Sequence, residues 1–212
     1  MSSYLVAGGW LPVGAAVGFG VRRLSVWLAR REELEPGFQP WQVWGPVAMT
    51  AVLFAVFGWR FGATPLLLIT SLWVALLVQV IFFDLEHRLI LDRLMFPAYV
   101  VALVLSIFTP HLGWKQAAIA GVAAGAAFLL LAVVGGLVFR GEVLGIGDVK
   151  LAIFIGLVLG FSGTLSALLV GVLLAGVVSI FLMAIRVKGL KDTIAYGPYL
   201  CAGALIGLLQ QG

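Results

Sequence analysis

The sequence predicts an all-α, polytopic membrane protein with about eight transmembrane helices and its N-terminus outside. Three observations predict it. Apolar stretches long enough to span a bilayer recur along the whole chain. Of its 212 residues, 63% are hydrophobic and 10% charged, where a soluble domain has about half and about a quarter. The basic residues fall between the apolar runs in an alternating pattern. A mean hydropathy of +1.17 agrees. This composition excludes a cytosolic globular enzyme and a disordered chain.

The first span is placed at 4–21. Only Met1, Ser2 and Ser3 precede it, and Arg22 and Arg23 follow it. With no basic residue in front, it reads as a retained helix rather than a signal peptide. It is expected to continue as an amphipathic helix through Arg22–Glu33. There Leu24, Trp27 and Leu28 would lie on lipid while the arginines face water. Residues 22–42 thus form a short cytoplasmic segment and loop.

The remaining spans are expected at 43–59, 64–83, 94–109, 115–139, 149–161, 163–185 and 197–209. The span 149–161 is short for a bilayer and is expected to be a half-buried helix beside a water-filled cavity. Gly160, Ser162 and Gly163 supply the turn after it. Gly121 with Gly125, and Gly171 with Gly176, are placed for close helix approach. The whole of 1–212 is read as a single membrane-embedded domain.

With the N-terminus outside, the inner segments hold all of the 13 basic residues except Arg60 and Lys115. Tryptophans 27, 41, 44, 59 and 114 fall near span ends, as an aromatic belt requires, while Trp10 and Trp73 are expected to pack inside. The net charge of +4 therefore reports membrane topology, and the expected partner is the lipid bilayer, not nucleic acid. Cys201 is the single cysteine. It excludes an intramolecular disulfide and a cysteine-rich zinc site, and it is expected to pack as a small hydrophobe.

All nine acidic residues fall on the predicted cytoplasmic side. Glu32, Glu33 and Glu35 lie among arginines and read as solvated charges. Asp84 follows Val80-Ile81-Phe82-Phe83 with no polar buffer, and Asp148 stands between Gly145-Ile146-Gly147 and an apolar run. A carboxylate held at the edge of a span is costly unless it is paired or used. Two that meet share a proton: the ionised one activates water and the protonated one polarises a carbonyl. That is metal-free peptide hydrolysis. Other hydrolase parts are missing from the sequence. It has no HExxH and no GxSxG, and His87 and His111 are predicted on opposite sides of the membrane.

These residues carry a resemblance. Gly145-Ile146-Gly147-Asp148-Val149-Lys150-Leu151 resembles the GxGD-[VLF]-K-[LF] signature of the type IV prepilin peptidases, membrane aspartic peptidases of GxGD type. Asp84-Leu85-Glu86-His87-Arg88-Leu89-Ile90-Leu91-Asp92 resembles their D-x-(D/E)-x-x-x-I-P-D segment. Ala195-Tyr196-Gly197-Pro198-Tyr199-Leu200 resembles their F-G-P-[FY] segment, and Trp44-Gly45-Pro46 to Arg60-Phe61-Gly62 their second span. The likeness covers most of the chain from about Pro40 onward.

The resemblance implies Asp84 and Asp148 as the catalytic pair. It implies supporting motif roles for Gly145, Gly147, Lys150, Glu86 and Asp92, with Lys150 pairing a carboxylate and Asp92 capping the next helix. Gly197 and Pro198 form the C-terminal motif. It implies cleavage of a short basic leader from a prepilin or pseudopilin helix, in type IV pilus assembly or protein secretion. The site would lie on the cytoplasmic side of the inner membrane.

Two departures follow from the residues. Bacterial relatives carry two CxxC pairs between the first and second spans, associated with zinc and N-methylation. Here Arg30 to Gln42 holds no cysteine, so no metal, no cofactor and no N-methyltransferase activity are expected. Leu91 replaces the usual proline, which predicts more helix after Asp84.

The alternatives weighed are a transporter or assembly factor using the aspartates as a proton or ion site, and a presenilin-like protease. The first would place them mid-span. The second needs Tyr-Asp and Pro-Ala-Leu, and Asp84 follows Phe83 with no Pro-Ala-Leu in the chain.

Overall fold

The computed structural model describes residues 3–110, 112–139, 144–185 and 195–211. Its elements are α1 (Ser3–Arg31), α2 (Pro40–Phe61), α3 (Pro65–His87), α4 (Asp92–Ser106), α5 (Gly113–Phe139), α6 (Ile146–Ala184) and α7 (Gly197–Leu209). Among the described residues there is no strand, as the composition predicts. Five of the helices, α1, α2, α3, α5 and α6, are long and apolar enough to cross a membrane. The chain forms two compact units that divide between Arg88 and Leu89.

In the first unit, α1 and α2 pack as an antiparallel pair. Gly14 faces Thr50, Ala51 and Phe54, and Gly18 faces Pro46 and Val47. A Cβ on Gly18 would come 2.5 Å from the Val47 Cα, so glycine is what lets the two backbones meet. In lipid the helices gain little from leaving the solvent, and close packing of this kind supplies the association instead. Polar pairs fix the register of α1 on α3: Trp10 Nε1 donates to Ser71 Oγ at 2.9 Å, and Gln79 Nε2 to Ser25 Oγ at 2.8 Å. Trp73 is buried. As expected for a belt, Trp27, Trp41, Trp44, Trp59 and Trp114 are exposed.

The continuation of α1 past Arg22 is present, but two of its residues differ from expectation. Leu28 is buried rather than lipid-facing, and Arg22 is buried rather than wet. The turn of the helix puts Arg22, Ser25, Leu28 and Ala29 on the face toward the bundle. Glu33 and Glu35 are exposed, as expected of solvated charges.

In the second unit, α6 is broken at Gly160, whose φ of 67 and ψ of −173 are not helical. Thr164 Oγ1 lies 3.5 Å from the Ile155 carbonyl oxygen nine residues upstream. In a straight helix that separation is about 13 Å, so the chain doubles back at Gly160 into two arms. The sequence placed two spans here with their turn at the same glycine. An open cavity of about 540 Å³ lies at this break, lined by Gln116, Ser162, Ser166, Gln210 and Gln211 among others.

Gly121 and Gly125 face Leu157 and Ile153 of the first arm, which makes α5 antiparallel to it. Gly171 on the second arm faces Leu200 of α7. Gly176 differs from expectation: nothing stands within 4 Å of where its Cβ would be. Cys201 is fully buried, a packed hydrophobe as expected.

Candidate active site

Asp84 stands in the last turn of α3 and is buried. Leu77 through Ile81 and Phe83 are buried with it, so an apolar helix carries the carboxylate to its C-terminal end. The helix stops because Arg88 adopts a left-handed φ of 55 and its N–H caps the Asp84 carbonyl at 2.8 Å. Extra helix toward Leu91 is not found. Leu91 is extended (φ −79, ψ 133), a conformation a proline also adopts, so the replacement leaves this backbone unchanged.

Glu86, two residues on, is held by α1 and the loop after it. Its Oε2 accepts from Arg22 Nη1 at 3.2 Å, and its Oε1 accepts the Gly37 N–H. Arg22 Nη2 donates to the Gly37 carbonyl. Both side chains are nearly inaccessible, at 9% for Arg22 and 6% for Glu86. His87 Nε2 lies 3.7 Å from Glu86 Oε1. Sequence reasoning missed Arg22 and Gly37. The available signal was an arginine on the same helical face as Ser25 and Leu28.

Asp148 is the third residue of α6 after the N-cap Gly145, and it is buried. Its Oδ2 accepts the Gly145 N–H at 3.2 Å, while its own N–H donates to the Gly145 carbonyl at 3.0 Å. A carboxylate here satisfies a backbone donor and lies at the favourable end of the helix dipole. Gly147 faces Ile90, whereas Gly145 has an ordinary φ and a Cβ there would make only ordinary contacts, the nearest with Asp148 Oδ2.

Lys150 pairs with Asp92, as expected for a carboxylate partner. Asp92 is not the cap of α4. Leu91 is the N-cap, and Asp92 is the first helical residue, its charge at the positive end of the helix. Tyr99, which the sequence did not single out, donates from its hydroxyl to the Lys150 carbonyl at 2.9 Å. Gly197 and Pro198 are the first two residues of α7, where a proline costs no hydrogen bond.

The second unit therefore gathers the starts of α4, α6 and α7 at one end. The Lys150–Asp92 pair levels α4 with α6. The fold-back at Gly160 and the Gly171–Leu200 contact bring α7 to the same height. The cavity at Gly160 lies at the opposite end, roughly 18 Å along the first arm of α6. Alpha5 runs further. With Gly125 opposite Ile153, the level of Asp148 falls near Leu130, and apolar residues continue to Phe139, roughly 14 Å beyond. Leu130, Leu131, Val133, Val134, Leu137 and Val138 are all exposed. Such a surface belongs in hydrocarbon. Glu142, Asp192 and His111 lie outside the described residues.

Residues 71–180, about half of the chain, match the profile of the type IV leader peptidase family. The match includes both aspartates, Glu86, Asp92, Gly145, Gly147 and Lys150. A similar curated protein is a prepilin leader peptidase/N-methyltransferase of Legionella pneumophila, 27% identical over 160 residues. The aligned region covers 76% of this chain and 56% of that relative, so the chain spans little more than half of its length. No solved structure matches.

Proposed function

The chain belongs to the type IV leader peptidase family, and from that premise we propose that it is an aspartic endopeptidase with Asp84 and Asp148 as its catalytic pair. The substrate is a prepilin or pseudopilin: a short basic leader joined to one apolar helix. The chain acts as one membrane-embedded domain with its N-terminus outside, in the cytoplasmic membrane. Cleavage takes place on the cytoplasmic side.

One observation carries the reading. Within the family-matched segment, two aspartates are buried at helix ends, Asp84 in the last turn of α3 and Asp148 in the first turn of α6. Burial of a carboxylate in an apolar helix is costly, and function accounts for it in both. The ionised member of the pair takes a proton from water as the water attacks the scissile carbonyl, and the protonated member donates to the carbonyl oxygen. The proton then passes to the leaving amine. The match of this segment to a peptidase family favours this over an ion pathway.

The methyl-transfer activity in the Legionella protein's name is not carried over. Residues 32–39 are all that separate α1 from α2 here, and they contain no cysteine. The decisive experiment is Asp84→Asn and Asp148→Asn, each purified and mixed with a prepilin-like substrate whose mass is followed. Each variant is expected to accumulate normally and to leave the substrate uncut. Near-normal turnover by either would overturn the paired-carboxylate reading.

A further inference from the structure

Arg22, Glu86 and the Gly37 backbone close a three-membered ring. Glu86 accepts from both partners, and Arg22 donates to Glu86 and to the Gly37 carbonyl. The Phe38 ring covers the guanidinium, 5.8 Å from its centre. Both charges are buried, and a buried pair is strongly held because removing one member strands the other. The loop is folded tightly where it meets them. A Cβ on Gly37 would collide with the Gln42 side chain, whose Oε1 accepts the Gln39 N–H at 2.8 Å. Glu86 sits in the same final turn of α3 as Asp84.

We infer that Arg22 and Glu86 form a clasp that sets where Asp84 stands. The clasp fixes the last turn of α3 against α1 and the 32–39 loop. Arg22 and Glu86 are positioning residues that act through Asp84. The inference rests on the peptidase reading. It assigns the acidic residue of the D-x-E segment a task distinct from binding the basic leader, because Glu86 already has its partners.

The test uses the purified full chain in vesicles of phosphatidylethanolamine and phosphatidylglycerol. The probe is a synthetic helix bearing a basic leader and a Gly-Phe junction. Glu86→Gln is expected to lower kcat about a hundredfold, the scale on which a small misplacement of a catalytic group acts. KM should stay within about twofold, because substrate binding is untouched. The exchanged pair Arg22→Glu with Glu86→Arg should regain about tenfold over the single variant, as coupled residues do. Arg23→Gln, an exposed neighbour, should change nothing.

Amide exchange across 32–39 gives a second readout: protection is expected in the wild type and lost in Glu86→Gln. If Glu86→Gln does not accumulate, Arg22→Lys replaces it, keeping the charge while losing the fork that reaches Gly37. Wild-type kcat in the variant, or a rise in KM alone, would overturn the clasp. Failure of the wild type to cut the probe would instead sink the peptidase reading. Amide exchange then decides the clasp separately, and protection that persists in Glu86→Gln refutes it.

Discussion

Ile90 stands so close to Gly147 that a Cβ on the glycine would lie 3.2 Å from the isoleucine Cβ. At Gly145 the nearest atom to such a Cβ is Asp148 Oδ2, at 3.5 Å, an ordinary contact. The two glycines of the GxGD run are therefore not equivalent. Gly147→Val is expected to cost about 1–3 kcal/mol through overpacking and to lower cleavage with it. Gly145→Ala should stay within about 0.5 kcal/mol. Thermal unfolding in detergent checks both. Equal losses at the two positions would show that steric contact with Ile90 is not what separates them.

Gly160 carries a different burden. Its φ of 67 suits glycine, and a Cβ there would approach Leu112 Cδ1 to 2.5 Å. Gly160→Ala is expected to destabilise by about 1–3 kcal/mol from the positive-φ, extended-ψ backbone alone, a region open essentially only to glycine, with the Leu112 clash added. The cavity lined by Ser162 and Gln211 should change shape with it, while Asp148, at the far end of the arm, should keep its hydrogen bond to Gly145. A melting temperature equal to the wild type's would show that the fold-back tolerates a side chain.

The ion pair of Lys150 and Asp92 is the counter-case to the buried clasp. The Asp92 side chain is 52% exposed and that of Lys150 27%, so water screens the attraction. Asp92→Asn is expected to change stability by less than about 1 kcal/mol. Denaturation of the variant beside the wild type measures it. A loss of several kcal/mol would mean that the pair fastens α4 to α6 more firmly than its exposure implies.

Hydropathy made much of this fold legible. A run of apolar residues must leave water whatever it packs against, so the helices and the turn at Gly160 could be read directly. The tryptophans at the span ends and the buried Cys201 follow from the same logic. Pairing was not legible in that way. Arg22 reads as a wet residue beside Arg23 until Glu86, 64 positions away, is brought to it. Leu28 reads as lipid-facing until the register of α1 is known. Gly176 matches the spacing of a packing glycine and faces open space. Asp84 and Asp148 stood out because each breaks an apolar pattern, whereas Tyr99 fits its helix in every respect and left no signal. Its bond to the Lys150 carbonyl exists only in the folded chain.

The final prediction concerns how the substrate is held. Alpha5 continues as an exposed apolar wall roughly 14 Å past the level of Asp148. A carboxylate below the end of such a wall is reached by a chain that is itself partly in the bilayer. The substrate's apolar helix, lying in lipid beside the enzyme, should supply most of the capture. The basic leader is expected to meet Arg30 and Arg31, which are exposed, as well as acidic residues, so its net electrostatic pull should be modest and screened by salt. Deleting the apolar helix from a prepilin-like substrate is therefore expected to cut kcat/KM by at least about a hundredfold, the equivalent of some 2.7 kcal/mol. Raising the salt concentration should cost only a few-fold. Kinetics on a soluble leader peptide and on the full membrane substrate, in the same vesicles, make the comparison. Equal cleavage of the two would mean that the scissile bond reaches Asp148 from water, and the wall of α5 would then play no part in recognition.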